Sequence, residues 1–404
     1  MRLDGTALVL TGVGLVVLTA VLLALSWDAV RRFGRAAVVA RAGIAVLCVF
    51  SVVATSLLEL NRLTETYPTW AALAGEHTVA NSGPAPAADS PPDSGAGASP
   101  LAPITRSLPH PSGGASQIVT LTIAGKAAGM TMPAYVYLPA AYGTATGRRE
   151  RFPVIETTHG YPGSPRGWLR RLDVRAYLDR EIAAGRMAPT VVVFPYQTPT
   201  ALVDTECTNL THGPRAETYL TRDVPVAIKA NYRVRTDRAG WGLIGFSAGG
   251  FCSTNLILRH PAQYAAAASL SGYAEAGIHI GDGSEKTTNS PAWRLRHLPR
   301  PPIGLYLAYA NDDKHSRADN LLLQRLATAP VEVTMAVVAH GGHSDAVWKS
   351  MEAPAFDWLS SWLARPVASA AGLVARPAGK LARAAGSLGR AARSAASRIK
   401  PAGL

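Results

Sequence analysis

The chain has 404 residues, 48% of them hydrophobic and only 17% charged. That apolar share excludes a wholly disordered chain, and its uneven placement excludes one compact soluble domain throughout. The formal net charge of +13 is concentrated at one end, because Arg365 to Leu404 carries eight basic residues and no acid; a nucleic-acid-binding core is therefore not indicated. Three cysteines without C-x-x-C spacing suggest neither a disulfide scaffold nor a zinc or dithiol redox site.

In chain order, Ala7 to Leu25 gives 19 residues without a charge and Ala42 to Leu58 another 17. Each is long enough to cross a hydrocarbon core of ~30 Å as a helix. The stretch between them, Ser26 to Arg41, holds Arg31, Arg32, Arg35 and Arg41 against Asp28 alone, so the positive-inside rule places it in the cytoplasm and both flanks outside. A cleaved signal peptide would have a shorter apolar region and no second span. Residues 1–62 are thus expected to be a transmembrane anchor that contacts membrane lipid. Residues 63–116 are rich in Pro, Ala, Gly and Ser, with PPDSGAGASP at their centre, and read as an extracellular flexible linker.

From Gln117 the pattern changes. IVTLTI, a glycine-containing turn and AYVYLP predict a β-hairpin. The later runs PVIETT, TVVVFP, AGWGLIGF, AAAASLSG, IGLYLAYA and VEVTMAVVA are mainly apolar and alternate with helical stretches. Strands of near-continuous apolar character alternating with helices predict an α/β domain, its mostly parallel sheet covered by helices on both faces. The domain is expected to span 117–363. Residues 364–404 form a basic, alanine-rich tail, either an amphipathic helix touching an anionic surface or a solvated coil.

Gly245-Phe246-Ser247-Ala248-Gly249 fits G-x-S-x-G directly after a strand and before a helix. That context is what a nucleophile elbow requires: a sharp turn exposes the serine hydroxyl, and a helix N-terminus favours developing negative charge. A base and an acid should follow. AHGGHSDAVW offers His340 at the strand end and His343 beyond two glycines, where a loop can reach the elbow; His340 reads as a core histidine. YLAYANDDK offers Asp312 and Asp313. Running the strand through Ala310 leaves Asn311 and Asp312 to turn the chain, which favours Asp313. Two backbone N–H groups should hold the oxyanion, that of Ala248 and that of Tyr161 in HGYPG after an earlier strand.

Taken as a set and in this order, AYVYLPAAY, HGYPG, IKANYRVRTDRAGW, GFSAGGF and GGHSDAVW resemble the putative-esterase family of the α/β-hydrolase superfamily. That family includes esterase D, feruloyl esterases and the actinobacterial mycolyltransferases, and the two-span anchor is similar to that of membrane-tethered actinobacterial members. The resemblance implies an α/β-hydrolase fold, Ser247 as nucleophile, Asp313 as acid and His343 as base, with Tyr161 and Ala248 at the oxyanion hole. It implies an ester substrate and an acyl-enzyme attacked by water, or alternatively by a sugar or lipid hydroxyl. A non-catalytic envelope-binding protein on the same fold is the third alternative. No motif for a metal or nucleotide cofactor is present.

Cys207 in VDTECTNL and Cys252 in the helix after the elbow emerge at one edge of such a sheet, and an oxidising exterior would permit a Cys207–Cys252 disulfide. Cys48 lies in the second apolar segment. Tyr273 to Pro302, with Asp282, Glu285, Trp293, Arg294 and His297, interrupts the sheet after its sixth strand and is a candidate pocket cover.

Overall fold

The computed structural model describes residues 6–29, 35–64, 114–200 and 203–368. The expectations for most of the linker and for the tail beyond 368 lie outside these residues. Helices α1 (Thr6–Ala29) and α2 (Arg35–Thr64) are both long and apolar enough to cross a membrane. They pack on one another where side chains are smallest: a Cβ placed on Gly12 would come within 2.7 Å of Thr55 Oγ1. Thr19 and Ser51 are buried, their hydroxyls donating to carbonyls one turn back, at Leu15 and Leu47. Close approach through small residues is how helices associate without a hydrophobic driving force. Leu10, Leu25, Val39 and Phe50 point outward.

One boundary differs from expectation. Helix α2 begins at Arg35, so Arg35 and Arg41 lie on the helix and not in the connecting loop. Arg and Ala are good helix formers, and a long arginine stem can carry its charge away from an apolar segment.

The remainder is an eight-stranded sheet. Its strands are β1 (Gln117–Gly125), β2 (Met130–Leu138), β3 (Val154–Thr158), β4 (Val191–Pro195), β5 (Trp241–Phe246), β6 (Ala266–Leu270), β7 (Gly304–Ala310) and β8 (Glu332–Val338), in spatial order β1-β2-β4-β3-β5-β6-β7-β8. The β1–β2 hairpin is antiparallel, with Gln117 opposite Leu138. Strand β2 is antiparallel to β4, and from β4 to β8 every pairing is parallel. Strand β1 therefore runs in the sense of the parallel strands, and Gln117 enters at the edge where those strands begin.

Neighbouring residues along the strands serve opposite faces, as a pleat of period two requires. Val154, Val191, Val193 and Leu243 face one core with Ile228 of α4 (Val224–Asn231), Leu256 of α5 (Ala248–Arg259) and Leu323 of α7 (Lys314–Leu326). Ile155, Val192, Phe194 and Ile244 face the other with Leu178 of α3 (Val174–Ala183) and Phe356 and Leu359 of α8 (Asp345–Trp362). Burying each such aliphatic side chain contributes roughly 1.5–3 kcal/mol. Between β6 and β7 the chain forms α6 (Pro291–His297).

The folded domain runs past the expected end at Leu363. Val367 and Ala368 pair antiparallel with Arg151 and Glu150 just before β3. At the other end Ser116, assigned to the linker, is buried and its hydroxyl donates to Asp179 over 2.8 Å.

Candidate active site

All segments of interest leave the same edge of the sheet, where the parallel strands end, which is where open α/β sheets place their ligands. Ser247 sits between β5 and α5 with φ 56° and ψ −125°, a left-handed backbone that costs on the order of 1–3 kcal/mol for a non-glycine residue. The surroundings hold it there. Its N–H donates to Leu270 O at 2.8 Å, and its carbonyl accepts from Gly250 and Phe251. A Cβ on Gly245 would lie 2.0 Å from Gly249 O, and one on Gly249 would lie 2.4 Å from Thr158 O. Both flanking glycines are thus required by close backbone approach.

His343 Nε2 is 2.8 Å from Ser247 Oγ, and its Nδ1 is 2.7 Å from Asp313 Oδ2. Asp313 is nearly buried and caps α7, its other oxygen accepting from Ser316 N–H at 3.3 Å. Asp312 does not meet the imidazole. It accepts instead from the N–H groups of Gly341 and Gly342 at 3.0 and 2.9 Å, in the loop that carries His343. These bonds hold the Asp312 carboxyl below its usual range. His340 is exposed, contrary to the core position expected, because it lies beyond the last residue of edge strand β8.

Gly160 packs against the elbow, where a Cβ would come within 3.2 Å of Ser247 Cβ. This brings the HGYPG loop beside the serine, with Tyr161 partly exposed, while Ala248 opens α5 on the other side. His159, in the same loop, is buried, and burial pushes its pKa down to about 4. Its Nδ1 is 2.9 Å from Gly160 O, and its backbone N–H donates to Gln197 Oε1 at 2.6 Å. The Gln197 amide also contacts Cys207 and Cys252, which form a disulfide.

Two supporting groups carry no clear signal in the sequence. Gln197 follows β4 in an ordinary polar loop; only the fold brings it to His159. Trp348 stands edge-on to His343 at 5.0 Å and stacks on Phe246 at 4.9 Å; its spacing of five from His343 in HSDAVW was the only hint. In the stretch between β6 and β7, Arg294 donates to Leu258 O near the far end of α5 and Glu285 accepts from Ile280 N–H. Those residues knit this stretch to itself and to α5, while its Tyr273 and Gly277 donate to Glu206 in the loop after β4.

A hydroxyl bonded to one imidazole nitrogen while a carboxylate holds the other can be deprotonated as it attacks a carbonyl, and the imidazolium formed can then protonate the leaving group. The family described as "Putative esterase" matches residues 125–372. Among curated proteins, an uncharacterized protein of Corynebacterium glutamicum is 28% identical over 248 residues, covering 56% of each chain. An endo-1,4-beta-xylanase/feruloyl esterase of Xylanibacter ruminicola is 27% identical over 156 residues, 38% of this chain and 21% of that protein. The chain thus spans about half the length of the first of these relatives and a fifth of the second. A ferulic acid esterase structure superposes with TM-score 0.55 at 20% identity, covering 62% of this chain and 99% of the other. An S-formylglutathione hydrolase from Agrobacterium tumefaciens does so with TM-score 0.53 at 13% identity, covering 63% and 98%. At such identities the structures establish the fold, and the family match over most of the chain establishes the rest: this protein belongs to the putative-esterase family of α/β-hydrolases.

Proposed function

We propose that the chain is a membrane-tethered serine hydrolase of carboxylic esters whose catalytic domain lies outside the cell. Ser247 attacks the ester carbonyl, His343 accepts its proton and passes it to the leaving alcohol, and Asp313 holds the imidazole in the required tautomer. The tetrahedral oxyanion is received by the N–H groups of Ala248 and Tyr161. Water then releases the acyl group by the same proton route in reverse. The observation that carries this reading is the hydrogen-bonded series from Ser247 Oγ through His343 to Asp313, at 2.8 and 2.7 Å, on a strained elbow.

The tether rests on α1 and α2 and on the arginines between their apolar parts, which favour a cytoplasmic connection. The Cys207–Cys252 bond fits an oxidising exterior.

The catalytic test is turnover of short-chain p-nitrophenyl esters by the full chain. Ser247→Ala should leave the domain folded and reduce kcat by up to about 10⁶; turnover that survives the change would overturn the assignment. For the topology, a protease added to intact, wall-stripped cells should cut within 80–112 and release the domain. Cleavage only after lysis would reverse the orientation.

A further inference from the structure

We propose that the sheet edge at which the parallel strands begin is a docking surface for a bilayer rich in anionic phospholipid headgroups, so that Ser247 faces away from that bilayer. The proposal rests on the tethered reading above and adds to it which face of the domain meets the membrane.

Arg148, Arg149, Arg233, Arg235, Arg238 and Arg365 gather at this edge. Arg148 and Arg149 precede the short ladder that Val367 and Ala368 make with Arg151 and Glu150. Arg233 lies over the Tyr142 ring at 3.8 Å and donates to Tyr142 O. Arg235 donates to Arg365 O at 3.1 Å, and Arg238 donates to the carbonyls of Pro261 and Pro302, which lead into β6 and β7.

The partners of these guanidinium groups are mostly backbone carbonyls. A neutral acceptor fixes the geometry of an arginine without cancelling its charge. Only Arg235 has a carboxylate, Asp237 at 3.0 Å, among the described contacts of this group. Along the same edge Arg186 and Arg259, at the ends of α3 and α5, are instead paired with Glu181 and Glu217, so the excess positive charge is that of the arginines above.

Topology selects a membrane as the occupant. The chain arriving from the apolar helices enters the sheet at this basic edge, at Gln117, and the basic tail leaves from it at Ala368. The tether, the arginine cluster and the start of the tail thus share one face. Basic clusters near a tether bind anionic leaflets, with an attraction confined to about a Debye length, ~10 Å at 0.1 M salt. The substrate is then one that reaches the domain from the side away from its own bilayer.

The test uses the full chain, with Cys48 replaced by Ser, in vesicles of phosphatidylcholine alone or with phosphatidylglycerol, carrying a headgroup energy-transfer acceptor. One dye is placed at exposed Thr146 as T146C, another on Ser247 through a fluorescent phosphonate. Efficient transfer from Thr146 is expected only in phosphatidylglycerol vesicles, lost at 0.5 M salt, with Ser247 always the more distant dye. Arg148→Ala, Arg149→Ala and Arg365→Ala together should weaken docking about 100-fold while leaving ester turnover unchanged. Equal transfer in both vesicle types, or a Ser247 dye nearer the bilayer, would overturn the proposal. So would binding of a soluble polyanion without docking to phosphatidylglycerol, which assigns the face to a polymer. A chain that floats with neither vesicle contradicts the tether itself, whereas one that floats with both but transfers equally contradicts the docking alone.

Discussion

Two adjacent carboxylates in one turn divide the support of one histidine. Asp313 faces inward to Nδ1 of His343, and Asp312 faces the loop and holds the amides of Gly341 and Gly342. Asp313→Asn should cost up to ~10⁴ in kcat, because a carboxamide favours the wrong imidazole tautomer. Asp312→Ala leaves two loop N–H groups without their acceptor and lets His343 wander; kcat should fall ~10- to 100-fold with KM little changed. Steady-state kinetics of both variants decide the matter, and a severe loss at Asp312 with a mild one at Asp313 would exchange their roles. That Asp313 clears the turn and meets His343 follows from where the strand has to end. The work of Asp312 was not legible in the sequence, because its partners lie 29 and 30 residues away and are backbone groups that leave no residue-type signature.

At the scale of elements, the elbow helix, the loop after β4 and the HGYPG loop are joined through one glutamine. The Cys207–Cys252 bond ties the β4 loop to α5 across a separation of 45 residues; for a loop of that size the chain-entropy contribution is about 4 kcal/mol. Gln197 rests on both sulfurs and accepts from His159 N–H, so the position of the HGYPG loop depends on the bond. Gln197→Ala should lower kcat by roughly 5- to 100-fold through loss of one buried hydrogen bond, with the disulfide still formed. A variant of unchanged kcat would show that the loop is held by its glycines and by the Trp168 bond to Thr158 O alone. The strands themselves were legible, since each is an apolar run bounded by turns or helices. The ladder formed by Val367 and Ala368 was not, because a two-residue pairing has no period to detect.

At the scale of the whole molecule, two buried carboxyls make stability depend on pH. Burial pushes Glu352 up to about 9 and Glu156 up to about 8. Glu156 accepts from the Tyr264 hydroxyl at 3.0 Å, whereas neither oxygen of Glu352 has a hydrogen-bond partner among the described residues. A carboxyl whose folded pKa lies above its unfolded value binds more protons when folded. Its stabilising effect is fully present below about pH 4.5 and is lost as pH rises toward 8 to 9. The unfolding temperature should therefore fall between pH 5 and pH 9, and Glu352→Gln should flatten that fall. An equally steep decline in Glu352→Gln would contradict the assignment. Neither carboxyl stands out in the sequence, where VIETT and SMEAPAF read as an ordinary strand and helix, because burial is a property of the packed sheet. The fold class, by contrast, followed from alternating apolar strands and helices, and the elbow from a serine motif placed between them.

The central claim is that Ser247 is a nucleophile activated by His343. It is tested most directly by exposing the full chain to a fluorescent phosphonate and identifying the modified residue by mass spectrometry. The account predicts one adduct, on the peptide containing Ser247, absent in Ser247→Ala and strongly slowed in His343→Ala. An adduct on another residue, or undiminished labelling of Ser247→Ala, would contradict it.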